Sequence, residues 1–208
     1  AATSEGQFFE NPRPLEKARI QIERAQRIVS RRIKGSQRRR KAIANLRHKH
    51  YHIANLRREQ HIYVAKTLVK SYDMIYVEDL NVKGLARGFL SGSVHDAAWS
   101  LFRHWLSCKA EEAGKIVVGV NPRGTSFICS RCDAINSSIT LNVRVFRCAE
   151  CGLEIDRDIN AACNILRLGQ SLQGAAPVVK GRQRSVKFIT PESSSRKILV
   201  CKPRREVC

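Results

Sequence analysis

An α/β fold, extended by a long basic helical hairpin and a small cysteine ribbon, is what this 208-residue sequence predicts. Three observations predict it. Two short apolar runs rich in β-branched residues, Met74-Ile75-Tyr76-Val77 and Ile116-Val117-Val118-Gly119-Val120, flank one amphipathic helical stretch. Through residues 13–70, apolar positions recur in steps of three and four, the period of a helix with one buried face. Two Cys-x-x-Cys pairs are separated by 15 residues, the arrangement of paired metal knuckles.

The charge is as uneven as the patterning. Lys and Arg total 38 against 18 Asp and Glu, a formal net charge of +20, which favours a polyanionic partner. Residues 13–70 alone hold 18 Lys and Arg against Glu16, Glu23 and Glu59, three quarters of the excess in about a quarter of the chain. No run approaches the roughly 20 apolar residues of a membrane span, and no charged start followed by an apolar stretch marks a secretory signal. The reading is a soluble, cytoplasmic protein without a membrane partner. The chain opens on Ala1 rather than Met, so a processing or truncation edge is expected there.

In chain order, Leu15, Ala18, Ile22, Ala25 and Val29 form the stripe of a first helix. Gly35-Ser36 interrupts it, with Ser36 as the N-cap of a second, whose stripe runs Ile43, Leu46, His50, Ile53, Leu56, Val64 and Leu68. So short a connection implies an antiparallel hairpin, and a helix over 36–70 would be roughly 50 Å long at 1.5 Å per residue, enough to follow a nucleic-acid duplex. Around the turn, Arg31, Arg32, Lys34, Arg38, Arg39, Arg40 and Lys41 concentrate one sign of charge. A merely solubilising face normally mixes signs, and this one is costly unless phosphates neutralise it. The bland alternative is a solvated coiled-coil hairpin. His48, His50 and His52 alternate, which spreads them around a helix axis, so they are not read as a metal site.

Beyond the hairpin the two apolar runs read as buried strands, with a helix over 97–113 between them carrying Trp99, Phe102 and Trp105 and closed by Gly114. Strand, helix, strand in this order predicts a parallel pair. Past Gly169, residues 170–208 turn rich in Gly, Ser, Pro and Arg and are expected to be a disordered basic tail.

Cys129, Cys132, Cys148 and Cys151 have the spacing at which two knuckles present four thiolates in a tetrahedron to zinc. Gly152 follows the last of them, where such a turn commonly needs a positive φ. Residues 141–148 alternate apolar and polar like a ribbon strand. A pair of disulfides or unrelated buried cysteines is the alternative, the first disfavoured in a reducing compartment and the second by the paired spacing. Four thiolates close the coordination shell, so zinc here is structural and chemistry must lie elsewhere.

Carboxylates supply the candidates. Glu78 and Asp79 end the first strand, and Asp156 and Asp158 open a last helix reaching Leu168 and closed by Gly169. Carboxylates gathered from separate elements suit hard cations such as Mg²⁺, and two such ions can hold both oxygens of a phosphodiester displacement. Asp156 reads first as an N-cap.

The order of basic hairpin, IYVEDLNVKGL, HDAAWSLFRHWLSCKAEEAGKIVVGVNP, TSFICSRC, CAECG and DRDINAACNIL resembles the C-terminal part of the transposon-encoded OrfB proteins, also called TnpB, and their type V CRISPR effector relatives. The resemblance covers about residues 6–168. It implies an RNase H-like RuvC nuclease domain with an inserted zinc ribbon, cutting DNA chosen by a guide RNA. By the motif match Glu78 and Asp158 are catalytic Mg²⁺ ligands, Arg157 and Asn160 support them, and Asp79 stands behind. The implied organisation is a partial RuvC-like region over 1–125 that includes the hairpin, a zinc ribbon over 126–155 and a final RuvC helix over 156–169.

The family opens its nuclease domain with a Gly-Ile-Asp-x-Gly type strand whose Asp completes the metal site, and no such segment occurs here. Gln7-Phe8-Phe9-Glu10-Asn11-Pro12 resembles the stretch immediately after that strand. The expected fold is therefore a RuvC domain lacking its first strands, with an unpaired sheet edge, in a truncated copy of an endonuclease that is poorly active or dead. The alternative is a catalytically inactive DNA- or RNA-binding regulator, and a purely structural zinc protein is a third. Asp133 replaces the glycine that usually follows the first knuckle, a change expected to loosen that turn.

Overall fold

The computed structural model describes residues 1–85, 96–136, 143–172 and 198–202. The chain divides into two compact units, one of Ala1–Glu10, Ala65–Leu80 and Leu106–Cys208, the other of Asn11–Val64 and Asn81–Trp105.

The second unit holds the hairpin as far as Val64. Helix α1 spans Pro14–Arg31 and helix α2 spans Gln37–Ser71. Pro14 suits the first helical turn, where its missing N–H costs nothing. Gly35 turns the chain at φ +83°, and the Ser36 hydroxyl accepts the Arg39 N–H at 3.2 Å, the predicted cap. Ile22 and Ala25 of α1 and Ile53 and Val64 of α2 are buried as their stripes predict, whereas His50 and Leu56 of the second stripe are exposed, so that stripe is a packed face only in part. Asp96 secures the start of α1: its Oδ1 accepts the Leu15 N–H at 3.2 Å and pairs with Arg57 Nη2 at 2.6 Å. An anion at a helix N-terminus is favoured by the helix dipole, and Arg57 neutralises it in a setting where its side chain is only 7% exposed. Nearby, the ring of His61 lies 5.9 Å from that of Phe102. Burial, reinforced by the Arg57 charge, lowers the His61 pKa to about 4.

The short helix α3 covers Val82–Leu85 and helix α4 covers Trp99–Glu112, inside the predicted 97–113. Residues 86–95, with Gly88 and Gly92, lie outside the described residues.

The first unit holds the sheet. Strand β2 (Met74–Glu78) pairs in parallel with β3 (Ile116–Val120), Met74 opposite Ile116 and Glu78 opposite Val120, as the strand-helix-strand order predicts. Two further strands were not anticipated. β1 (Ala2–Thr3) pairs antiparallel with β6 (Ile198–Lys202), and β6 pairs in parallel with β2, giving the order β1-β6-β2-β3. Two expectations are corrected here. The edge of β2 is not unpaired, because β6 covers it, and the stretch 170–208 is not wholly without structure. The apolar run Ile198-Leu199-Val200-Cys201 carries a strand signal that the composition of its surroundings obscured. Residues 173–197 and 203–208 lie outside the described residues.

Helix α5 (Arg157–Ser171) packs on this sheet, and Ala162 and Ile165 bury against Tyr76 and Val120 in the core. Gly169 does not end the helix as predicted, since α5 continues through it. A Cβ at Gly169 would lie 2.2 Å from Tyr76 Cδ1, so the glycine is there for close approach of helix to sheet. The Tyr72 hydroxyl, on the run into β2, donates to Glu5 Oε2 at 2.7 Å and secures the N-terminal turn. Together with burial, that acceptor raises the tyrosine pKa to about 12.

Candidate functional site

The cysteine ribbon is built from two copies of one turn. In the first, the Cys129 N–H donates to Ala134 O at 2.9 Å and the Asp133 N–H to Cys129 O at 3.1 Å. In the second, the Cys148 N–H donates to Leu153 O at 2.9 Å and the Gly152 N–H to Cys148 O at 3.0 Å. The equivalent residues Asp133 and Gly152 are both left-handed, at φ 62° and 68°. Asp133 therefore keeps the turn it was expected to loosen, helped by the tolerance of aspartate for this conformation and by an ion pair to Arg167 of α5. Behind the knuckles, Phe146 is fully buried, and strands β4 (Val145–Arg147) and β5 (Glu154–Asp156) pair antiparallel. Of the predicted ribbon strand, residues 141 and 142 lie outside the described residues.

The four sulfurs converge. Cys129 and Cys151 Sγ are 3.6 Å apart, Cys132 and Cys148 Sγ 3.5 Å, and all four ligand atoms lie within 4.8 Å of one another. A disulfide needs about 2.05 Å. A tetrahedron of sulfurs at about 2.3 Å from zinc has edges of about 3.8 Å, so the donor set fits zinc and the disulfide alternative falls.

The candidate carboxylates lie at the end of β2 and around the first turn of α5. Glu78, the last residue of β2, is 5% exposed, whereas Asp79 is exposed, its N–H extending the ladder to Val120 O at 2.8 Å. Asp156 is an N-cap: its Oδ1 accepts the N–H groups of Asp158 at 2.8 Å and Ile159 at 3.4 Å. That bond presents Asp158 in the first helical turn, buried beside the equally buried Arg157, whose Nη2 is 3.9 Å from Asp158 Oδ1. Ionised carboxylates are costly to bury without counter-charge. Two such groups are the right donor type for a hard cation but an incomplete set. Among the described residues only the four cysteines form a group of three or more side chains able to share a metal ion.

Asn160 faces the ribbon. Its Oδ1 accepts the Ser130 N–H at 2.9 Å and its Nδ2 donates to Ile128 O at 2.8 Å. One turn on, Asn164 donates to Thr125 O at 2.9 Å and Ile128 O at 2.7 Å. Sequence reasoning missed Asn164, although its spacing of four from Asn160 puts both on one helical face.

At the hairpin turn Arg31, Arg32, Lys34, Arg38, Arg40 and Lys41 are exposed, and Arg39 is half-buried with its Nη1 donating to Arg32 O at 3.1 Å. The acids of α1 are away from that turn, Glu16 in the first helical turn and Glu23 further along, where it pairs with Arg19 and Arg27. No helix among the described residues is long and apolar enough to cross a membrane.

Comparison with known proteins adds a lineage to this geometry. Residues 1–88 match the OrfB_IS605 family, described as "Probable transposase", and residues 99–165 match the "Cas12f1-like, TNB domain". A putative RNA-guided DNA endonuclease of Streptomyces pristinaespiralis is 32% identical over 184 residues, which is 88% of this chain and 46% of the relative. The putative RNA-guided DNA endonuclease InsQ of Escherichia coli K12 is 30% identical over 196 residues, 86% of this chain and 49% of its own length. The CRISPR-associated endodeoxyribonuclease Cas12f1 of Sulfoacidibacillus thermotolerans is 34% identical over 139 residues, covering 63% of this chain and 31% of that protein. The chain spans about half the length of the first two. In fold, it resembles the protein in a cryo-EM structure of a Cas12f1-sgRNA-target DNA complex, with a TM-score of 0.53 and 20% identity over 73% of this chain and 41% of that one.

Proposed function

Because this chain belongs to the OrfB/TnpB family, we propose that it is a transposon-associated nucleic-acid-binding protein built on a RuvC-type endonuclease. Its partners in this reading are DNA and a guide RNA, met in the cytoplasm. The observation that carries it is the pair of buried carboxylates, Glu78 at the end of β2 and Asp158 in the first turn of a helix packed on that strand.

Each region has a role in this reading. The exposed cations at 31–41 grip phosphates, a contact that reads backbone rather than sequence. The ribbon over 126–155 holds structural zinc and braces α5. Glu78 and Asp158 offer oxygen ligands to Mg²⁺, with Asp156 fixing the turn that presents Asp158. When bound, Mg²⁺ supplies charge stabilisation at the oxygens of a phosphodiester. Arg157 balances the buried negative charge, and Asn160 supports the site through the ribbon.

A second reading is favoured by one observation, that among the described residues neither Glu78 nor Asp158 belongs to a group of three or more side chains able to share a metal ion. In that reading the 208 residues alone bind nucleic acid without cutting it, as a regulator would.

Binding and cleavage assays on the purified chain separate the two. Steeply salt-dependent binding to duplex DNA or structured RNA is expected, with no magnesium-dependent cleavage above background. Cleavage abolished by Glu78→Ala would establish the nuclease reading for these residues alone, and absence of binding at low salt would overturn both.

A further inference from the structure

The peptide unit joining Ile128 to Cys129 faces two ways. Its N–H, on Cys129, donates to Ala134 O and closes the first knuckle, while its carbonyl, on Ile128, accepts from both Asn160 and Asn164. Cys129 is at the same time one of the four converging thiols. A metal on that sulfur therefore fixes a peptide plane whose other edge is a docking point for α5.

The docking is extensive for so small an area. Asn164, 2% exposed, spends both Nδ2 hydrogens on Thr125 O and Ile128 O, and its Oδ1 accepts from Arg167 Nη2 at 3.1 Å. Asn160, fully buried, uses its oxygen on Ser130 N–H and its amide on Ile128 O. Thr125 is itself fixed, its hydroxyl donating to Pro122 O at 2.9 Å. Buried amides that lose such partners pay the full desolvation cost, so the two asparagines stay seated only while the 125–130 backbone keeps its shape. Asn160 lies two residues beyond Asp158, in the same helical turn.

We infer that the asparagine pair makes α5 a reporter of metal occupancy in the knuckles: with zinc bound, the first turn of α5 and the Asp158 it carries are held in place, and without zinc that turn loosens. Asn164 is then a positioning residue. That the consequence is control of a nuclease carboxylate rests on the proposed function, whereas the mechanical coupling does not.

Hydrogen exchange on the full chain, read by mass spectrometry with zinc bound and after chelation, tests the coupling without nucleic acid or activity. In the wild type, chelation is expected to speed exchange of the amides in 158–163 by about tenfold or more, while those of 74–78 keep their protection. In Asn164→Ala, the zinc-loaded chain is expected to exchange fast in 158–163 already and to gain little on chelation, with the Co²⁺-substituted site keeping its four-thiolate absorption. Wild-type exchange in 158–163 that ignores zinc would overturn the inference. So would an equal rise in 74–78, or a zinc response in Asn164→Ala as large as in the wild type. Should Asn164→Ala fail to fold, Cys129→Ser read at the same amides replaces it: exchange in 158–163 as slow as in the zinc-loaded wild type would overturn the coupling, and fast exchange would support it. A chain that never binds DNA can still pass this test.

Discussion

Gly169 lies against the face of Tyr76, so close that a Cβ would meet Cδ1 at 2.2 Å and Cε1 at 2.5 Å. The contact sets the distance between the carboxylate helix and the strand that ends in Glu78. A methyl group here cannot be accommodated by the far end of a flexible side chain, because the obstacle is a fully buried ring. Gly169→Ala gains about 1 kcal/mol of helix propensity but forces overpacking that typically costs roughly 1–3 kcal/mol. Net destabilisation is expected in urea or thermal unfolding, and an equal or higher stability would show that helix and sheet can separate at low cost.

The equivalence of Asp133 and Gly152 predicts opposite responses to substitution. Asp133→Gly relieves a left-handed residue and gives up an ion pair whose partners are both substantially exposed, worth little in water. A stabilisation of up to about 1 kcal/mol is expected in the zinc-loaded chain. Gly152→Ala imposes the strain instead and should cost about as much. Melting curves of the two variants side by side decide it.

Zinc content follows from the sulfur geometry. About one zinc per chain is expected by elemental analysis, lost on replacing any of Cys129, Cys132, Cys148 or Cys151 by Ser. Cys108 and Cys163 stand outside the group, and Cys108→Ser should leave the metal content unchanged.

The hairpin turn predicts a salt slope. Replacing Arg38, Arg40 and Lys41 together by Ala is expected to lower the slope of log affinity against log salt for duplex DNA by about 3, close to 0.9 for each lost phosphate contact. A variant with the wild-type slope would place the phosphate-binding surface elsewhere.

His61 predicts a pH effect. Its pKa is about 4 in the folded chain against 6.5 for the free side chain, so between those values the unfolded chain binds more protons. Stability contributed by keeping His61 neutral is complete above about pH 6.5 and falls as the pH drops towards 4. The melting temperature should decline through that window less steeply in His61→Asn, and equal slopes would remove His61 as the cause.

Legibility in the sequence tracked the range of the interaction. The Ser36 cap, the Asp156 cap, the left-handed Gly152 and the four-thiolate site are set within a few residues or by spacing, and each could be read directly. The parallel pairing of β2 and β3 followed from the helix between them. What escaped was non-local: Asp96 holding the start of α1 and Arg57, Asn164 reaching back to Thr125, and Gly169 mistaken for a stop signal because its real neighbour, Tyr76, is distant in sequence. Asn160 was found by family resemblance, but its direct bonds go to the ribbon.

The sheet order β1-β6-β2-β3 has a consequence for the order of events during synthesis. The first and last described strands are neighbours, and the last one made sits between two made much earlier. On the ribosome, β2 and β3 can pair through their local helix, yet the inner edge of β2 must wait for about 120 further residues to emerge. Closure of such a long loop is slow and leaves a strand edge open to other chains in the meantime. Chaperone demand and yield should therefore be governed by the five residues of β6, and a stop codon at 198 would leave Ala2–Thr3 without its partner strand.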